Sequence, residues 1–149
     1  MTFATKIKKM KMYTRLLPIF LLLFGFVSVN AQIKKMGKLQ QGVHMTFDQE
    51  SIALGEVKKG EKRTFDFFFT NTGTDVIDIE IVSGCDCTTL DWPRKSIQPG
   101  ERGKINVIFD SKDKDNSDPV DVDIYLKNID PKTKNSILKV VNYTFKLIK

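Results

Sequence analysis

The sequence contains few of the residues that usually build catalytic or metal centres. Its 149 residues include two cysteines, Cys85 and Cys87, and a single histidine, His44. Two cysteines exclude a disulfide-dense scaffold. Zinc prefers four ligands, more than two thiolates and one imidazole supply. The sequence also has no Ser/His/Asp arrangement, no paired catalytic acids and no glycine-rich phosphate loop. We therefore expect no enzyme and no cofactor.

The first 31 residues have the three parts of a secretory signal peptide. Five basic and no acidic residues occur among the first 15, and an apolar core, Leu16–Val27, follows. Small residues at Val29 and Ala31 place the cleavage site between Ala31 and Gln32. A membrane anchor is the alternative, but the apolar core has only 12 residues, whereas spanning a bilayer takes roughly 20. The prediction is an exported chain, periplasmic or at the cell surface, with no membrane span after cleavage.

The basic character of the chain resides mostly in this segment. It holds five of the 24 Lys and Arg residues and none of the 18 Asp and Glu residues. The remainder therefore carries 19 basic and 18 acidic residues, a net charge of +1. A nucleic-acid-binding protein needs a retained basic surface to neutralise phosphates. The composition therefore argues against a nucleic acid as the partner.

Behind the signal, apolar residues alternate with polar ones in seven segments. They are Val43–Phe47, Ile52–Leu54, Phe65–Phe69, Ile77–Ile81, Ile105–Phe109, Val120–Leu126 and Val141–Leu147. Period-two alternation predicts strands with one dry and one wet face, and places Phe65, Phe67 and Phe69 in the core. Seven short strands separated by turns indicate one antiparallel β-sandwich over residues 43–149. The runner-up is a small β-barrel, and residues 32–42 are a predicted flexible lead-in.

Several motifs occur in a recognisable order along this domain. They are Ile52–Gly60, Thr64–Gly73, Gly84–Thr88, Trp92–Pro93 and Ile97–Asp110. Together they resemble the bacterial domain-of-unknown-function family 1573, which is similar to the immunoglobulin-like domains of hydin and of major sperm protein. The resemblance covers roughly residues 52–126. It implies an all-β, immunoglobulin-like fold and an exported setting, and it implies no activity. Asp86 stands where the family usually has glycine.

Cys85 and Cys87 are the candidate chemical site. On a regular strand, residues two apart have Cα atoms about 6.6 Å apart, whereas disulfides want Cβ atoms near about 3.8 Å, so a bridge needs a kinked backbone. Three interpretations stay open. The pair is structural, either bridged or buried; or it exchanges thiols; or it binds a metal, copper(I) being the better guess because two soft thiolates suit it.

Four other features are weaker candidates. His44 lies on the strand face opposite its apolar neighbours and is predicted to be solvated. The loop Ser111–Asp118 is rich in acids but lacks the glycine and glutamate of an EF-hand, so at most weak calcium binding is expected. Asn142 begins a glycosylation sequon inside a predicted strand, which we discount. Trp92 is predicted to pack under the Pro93 turn.

These observations predict a non-catalytic binding or structural module of the bacterial cell envelope. Sandwich edge strands have unpaired N–H and C=O groups that can accept a strand of a protein partner. The alternative function is a small periplasmic thiol-redox or copper-handling protein that acts through Cys85 and Cys87.

Overall fold

The computed structural model describes residues 38–149, in which alternating apolar residues form eight strands. They are β1 Met45–Phe47, β2 Ser51–Lys58, β3 Lys62–Asn71, β4 Ile79–Ser83, β5 Thr88–Asp91, β6 Arg102–Asp110, β7 Val120–Ile129 and β8 Ser136–Ile148. The predicted signal peptide, its cleavage site and most of the predicted lead-in lie outside the described residues. Within residues 38–149 no helix has the length and hydropathy that crossing a membrane requires.

The strands form two four-stranded sheets that pack face to face. The first sheet has the order β1-β3-β6-β5, and the second has the order β2-β8-β7-β4. All pairs are antiparallel except β2 with β8, which is parallel and contains a register shift at Gly55, a residue with φ of 70°. The predicted all-β, immunoglobulin-like sandwich is confirmed, with one parallel pair and one strand more than the predicted seven.

The additional strand is β5. Its four residues, Thr-Thr-Leu-Asp, contain a single large apolar side chain, Leu90, so they show no alternation. The strand forms because it pairs with β6 along one side of the first sheet, with Thr88 opposite Phe109 and Leu90 opposite Val107. Short edge strands are specified by pairing with a neighbour and leave little signal in their own composition.

The core lies between the two sheets, as the alternation predicts. Phe67 and Phe69 are 1% and 0% exposed. Phe65 is only half-buried; it lies nearer the end of the sandwich, with its ring 5.1 Å from that of Tyr143. Further buried apolar side chains come from β6, β7 and β8: Ile105, Val107, Phe109, Val120, Val122, Ile124, Leu126, Val141, Tyr143 and Phe145.

The prediction that Ile77, Ile79 and Ile81 share one face is wrong at Ile81. The first two are buried, whereas Ile81 is 49% exposed and its neighbour Val82 is buried. The reason is a β-bulge: Ile79 pairs with Leu126, and Ile81 with the adjacent residue of β7, so one extra residue is inserted. A bulge shifts the alternation by one position.

The end of the predicted lead-in belongs to the folded domain. The Gln40 N–H donates to Thr72 O at 2.8 Å, and its carbonyl accepts from Thr74 N at 2.9 Å. Gly42 N donates to Thr74 Oγ1 at 2.9 Å. These bonds involve mainly the backbone of residues 40–42. Their side chains therefore show no periodicity, and the sequence pattern places the start of the domain too late, at residue 43.

Candidate functional site

The two cysteines lie in a tight turn that carries the chain from one sheet to the other. Strand β4 ends at Ser83 in the second sheet, and β5 begins at Thr88 in the first. Thr88 N donates to Cys85 O at 2.9 Å, which closes a β-turn. The turn brings the Cα atoms of Cys85 and Cys87 to 5.1 Å, and the two residues form a disulfide. The backbone is therefore bent at the point where a bridge requires it.

The disulfide lies against a buried tyrosine at the end of the core. The Thr88 hydroxyl lies 2.7 Å from Tyr143 Oη and 3.3 Å from Cys85 Sγ. Cys87 Sγ is 3.9 Å from Tyr143 Oη. Tyr143 is fully buried, and burial raises the pKa of its phenol above the ordinary value. The phenol therefore stays protonated at neutral pH, and an uncharged hydroxyl network holds the turn.

The surroundings of this pair favour a structural role over a reaction centre. A low thiol pKa needs a cation, a helix N-terminus or a metal nearby. The two cations downstream are engaged elsewhere: the Arg94 guanidinium stacks 3.6 Å from the Trp92 ring centroid, and Lys95 pairs with Glu101 at 3.0 Å. An oxidised pair also offers no thiolate to a substrate or to copper.

The single histidine does not approach the cysteines. His44 precedes β1, which forms the opposite edge of the first sheet from β5, three strand spacings or about 14 Å away. It is half-buried, and its Nε2–H donates to Gln41 O at 3.0 Å. In the part of the chain that the structure describes, no three His, Cys, Asp or Glu side chains gather into a metal-ligating group. The structure does not bring together the sequence-predicted candidates other than the cysteines.

The acidic loop is tied to the domain at its first residue. Ser111 is buried, and its hydroxyl lies 2.7 Å from Lys58 O and 2.9 Å from Glu61 O. Asp115 pairs with Lys59 at 2.8 Å, and this contact lowers the pKa of the carboxyl group. Cation binding by this loop stays a prediction.

A second candidate site is a groove of about 340 Å³ at the opposite edge of the sandwich. It is lined by Asp48, Gln49, Ile52, Asp66 and Phe68. The groove exists because β1 is short and pairs only with residues 69–71 of β3. The preceding part of β3 therefore has a neighbouring strand, β6, on one side only.

The uncovered part of β3 presents free backbone groups beside the groove. Asp48 N donates to Phe68 O at 3.0 Å, so the N–H and C=O groups of Phe68 point toward the β1 side of the strand. In an antiparallel ladder this direction alternates, so the N–H and C=O of Asp66 and Thr64 point to the same, open side. Among residues 38–149 no backbone hydrogen bond outside the β3–β6 ladder engages them. This edge can accept another strand.

The charged groups of the groove are already paired. The Asp66 carboxylate accepts hydrogen bonds from Asn106 Nδ2 at 2.8 Å and Lys104 Nζ at 3.1 Å. These contacts, the Asn106 bond foremost, hold the pKa of Asp66 below its ordinary value. Asp48 pairs with Arg102, whose guanidinium lies 4.9 Å from the ring of Phe68. The groove therefore suits an apolar side chain on an extended backbone better than a free cation.

Sequence reasoning missed several residues of these sites. The alternation placed Tyr143 in the core, but its contact with Thr88 joins residues 55 apart, and no local signal marks it. Trp92 is half-buried at the core rim, and the stacked Arg94 was not foreseen. The sequon residue Asn142 lies in β8, and its side chain accepts a hydrogen bond from Ser51 Oγ of the neighbouring β2 at 2.6 Å.

Comparison with known proteins identifies a family and a fold. The model of the family described as Protein of unknown function (DUF1573) matches residues 45–141. No curated protein matches the sequence.

Solved structures of low identity share the fold. A protein of unknown function from Porphyromonas gingivalis W83 is similar at 17% identity and a TM-score of 0.58, over 78% of this chain and 51% of that one. The Vibrio cholerae VesB protease is similar at 14% identity and a TM-score of 0.55, over 68% of this chain and 31% of its own. The ASH / PapD-like domain 7 of human CEP192 is similar at 12% identity and a TM-score of 0.53, over 83% of this chain and 97% of that domain. The chain therefore spans at most about half of the first two structures.

Proposed function

We propose that this chain, which belongs to the DUF1573 family, is an exported immunoglobulin-like domain of the bacterial cell envelope that binds a protein partner and does not catalyse a reaction. The uncovered edge of β3, beside a groove that Ile52 and Phe68 line on its apolar side, is the observation that carries the proposal. The signal pattern of residues 1–31 supports export to the periplasm or the cell surface.

The partner would contribute an extended segment. Such a strand would continue the path of β1 along β3 and bond the free backbone groups of Thr64 and Asp66. Alternate side chains of an added strand point to the same face. One apolar side chain of the partner would therefore enter the groove between Ile52 and Phe68. In this mode the backbone bonds supply affinity, and the side-chain pocket supplies specificity.

Export is tested by sequencing the N-terminus of the protein purified from the cell envelope. The mature chain should begin at Gln32. Recovery of intact Met1 in the envelope pool would overturn this part of the proposal.

Partner binding is tested by crosslinking in the envelope with the parent chain and two variants. Thr64→Pro combined with Phe68→Ala removes one free N–H and the apolar wall of the groove. Proline is tolerated where the N–H faces away from the ladder. Ile108→Ala is the matched control, because Ile108 is an exposed apolar residue on the same sheet, 36% exposed against 40% for Phe68.

The expected result is a specific partner that the parent and the Ile108→Ala variant capture equally and the Thr64→Pro/Phe68→Ala variant captures at least about ten-fold less, a loss of about 1.4 kcal/mol. Both variants should keep their cooperative unfolding transitions. Equal capture of every partner by the folded double variant would refute binding at this edge.

The rival function, thiol-redox or copper handling through Cys85 and Cys87, has less support. Among the described residues, the hydrogen-bonding groups beside the two sulfurs are the neutral hydroxyls of Thr88 and Tyr143. Neither hydroxyl supplies the positive charge that typically activates a reactive cysteine.

A further inference from the structure

The outer face of the second sheet carries a row of exposed apolar side chains. Five of the seven large hydrophobic residues that are exposed within residues 38–149 belong to this sheet: Ile81, Tyr125, Ile129, Leu138 and Val140. The register places Ile81 beside Tyr125, and Tyr125 beside Leu138, so three of them form one row across β4, β7 and β8. A contiguous exposed apolar patch on a folded domain marks a contact surface.

Charged residues extend from this row along β7 in a self-complementary order. The inward positions of β7 are buried, and its outward positions are, in chain order, Asp121, Asp123, Tyr125 and Lys127. Two acids therefore lie on one side of the tyrosine, and a base lies on the other. None of these three charged side chains forms an ion pair with another described residue.

The outer face of the first sheet differs in this respect. Most of its charged residues pair within the domain, as Asp66 does with Lys104 at 3.1 Å and Asp48 with Arg102, although Asp91 forms no ion pair with a described residue. Opposite charges therefore largely neutralise one another on that face. The β7 charges lack such partners, although they surround the larger apolar patch.

We propose that the outer face of the second sheet is an interface between two copies of this chain, related by a two-fold axis that passes beside Tyr125. A two-fold interface apposes the same surface of both copies. On regular strand geometry, Asp123 and Lys127 are each two residues, about 6.8 Å, from Tyr125. The β7–β8 register shifts between Tyr125 and Ile129, but Lys127 keeps its outward position. With the two β7 strands antiparallel, Asp123 of each copy meets Lys127 of the other, and the two apolar rows meet in the centre.

The size of the face sets the expected strength of association. A four-stranded face is roughly 20 Å wide, and the outward positions from Asp121 to Lys127 span about 20 Å along β7, so the footprint is at the low end of specific interfaces. We therefore expect a reversible dimer with a dissociation constant in roughly the micromolar range. Salt should weaken it, because the paired charges lie at the rim of the apolar row.

The experiment is sedimentation equilibrium of the chain purified from the envelope, over roughly 1–300 µM. Asp123→Lys and Lys127→Asp should each weaken dimerisation about ten-fold or more, because each places like charges opposite one another. The double reversal in one chain should restore dimerisation, because the symmetric pairs form again with opposite sign. An equimolar mixture of the two single variants should form a mixed dimer.

The controls are charge reversals of the same kind at exposed positions away from this face, Asp91→Lys and Lys112→Asp. They should leave the dissociation constant unchanged. Tyr125→Ser should weaken the dimer without changing its charge, and all variants should retain cooperative unfolding. A parent chain that stays monomeric throughout this range would overturn the proposal. So would a dimer that the folded single reversals leave intact, or one that the double reversal fails to restore.

Discussion

Replacement of Phe67 by alanine is the sharpest test of the core assignment. The ring is 1% exposed and lies 5.7 Å from the ring of Phe65, in an edge-to-face arrangement. A buried aromatic ring removes about 150–250 Å² from water, worth roughly 4–6 kcal/mol at about 25 cal/mol per Å². Alanine retains a small part of that burial, whereas the cavity adds a cost, so we expect a loss of about 3–5 kcal/mol.

The adjacent residue supplies the matched control. Phe68 is the same residue type in the same strand, but it points to the opposite face and is 40% exposed. Truncation there leaves no closed cavity, because water fills the space. Only strand propensity and partial surface contacts are lost, and we expect a cost of about 1 kcal/mol.

The assay is equilibrium unfolding in urea for the parent chain and both variants. The free energy of unfolding should fall by about 2 kcal/mol per M of urea. Phe67→Ala should therefore lower the urea concentration at the unfolding midpoint by roughly 1.5–2.5 M, and Phe68→Ala should lower it by about 0.5 M. Such a loss at Phe67 is a large share of a typical stability of about 5–15 kcal/mol. Equal costs at the two positions, or a cost below about 1 kcal/mol at Phe67, would show that the strand faces are misassigned.

Gly103→Ala should cost roughly 1–3 kcal/mol in the same assay, because an added Cβ would overlap the ring of Phe69 on the neighbouring strand. Cys85→Ser combined with Cys87→Ser should lower stability only modestly, because closing so short a loop removes little unfolded-state entropy. The double variant should bind the partner within a few-fold of the parent. A reductase activity or tightly bound copper that is present in the parent and lost in this variant would contradict the structural role. The pKa of Asp66 in the folded state is held below its ordinary value of 3.8. The ionised carboxylate therefore stabilises the fold fully above about pH 3.8, and this stabilisation is lost as the pH falls through the lowered pKa of the folded state. Asp66→Asn should therefore flatten the loss of thermal stability below about pH 4, and an unchanged acid profile would contradict the assignment.

Sequence patterns predicted the parts of the fold that depend on local alternation. Phe67 and Phe69 are buried because period-two spacing places both on one face, and this needs no knowledge of the partner strand. Ile81 was mispredicted because a bulge is a property of the β4–β7 pairing and not of β4 alone. Strand β5 was missed for the same reason, since its register is set by β6.

The candidate sites were predictable to a smaller extent. Spacing indicated that Cys85 and Cys87 could bridge only at a kink, and the structure has a turn there. Their contact with Tyr143 joins residues more than 50 positions apart and depends on how the two sheets pack. The groove depends on the length of β1, whose last pair is Phe47 with Phe69. Three further pairs would be needed to cover the backbone of Asp66.

The two proposed surfaces would reinforce each other in binding. The groove lies beside β2 and β3, whereas the proposed dimer face is centred on β7, two strand positions from β2 in the second sheet. A dimer would therefore leave both grooves open and present two strand-accepting edges to one surface. Linked sites of this kind can gain about 10²–10⁴ in apparent affinity without a new contact. We accordingly expect Lys127→Asp to leave the affinity for a single soluble partner segment unchanged but to weaken retention on a surface densely coated with that segment. Equal weakening in both formats would show that Lys127 acts at the groove itself, and unchanged retention by a variant shown to be monomeric would show that dimerisation does not contribute to binding.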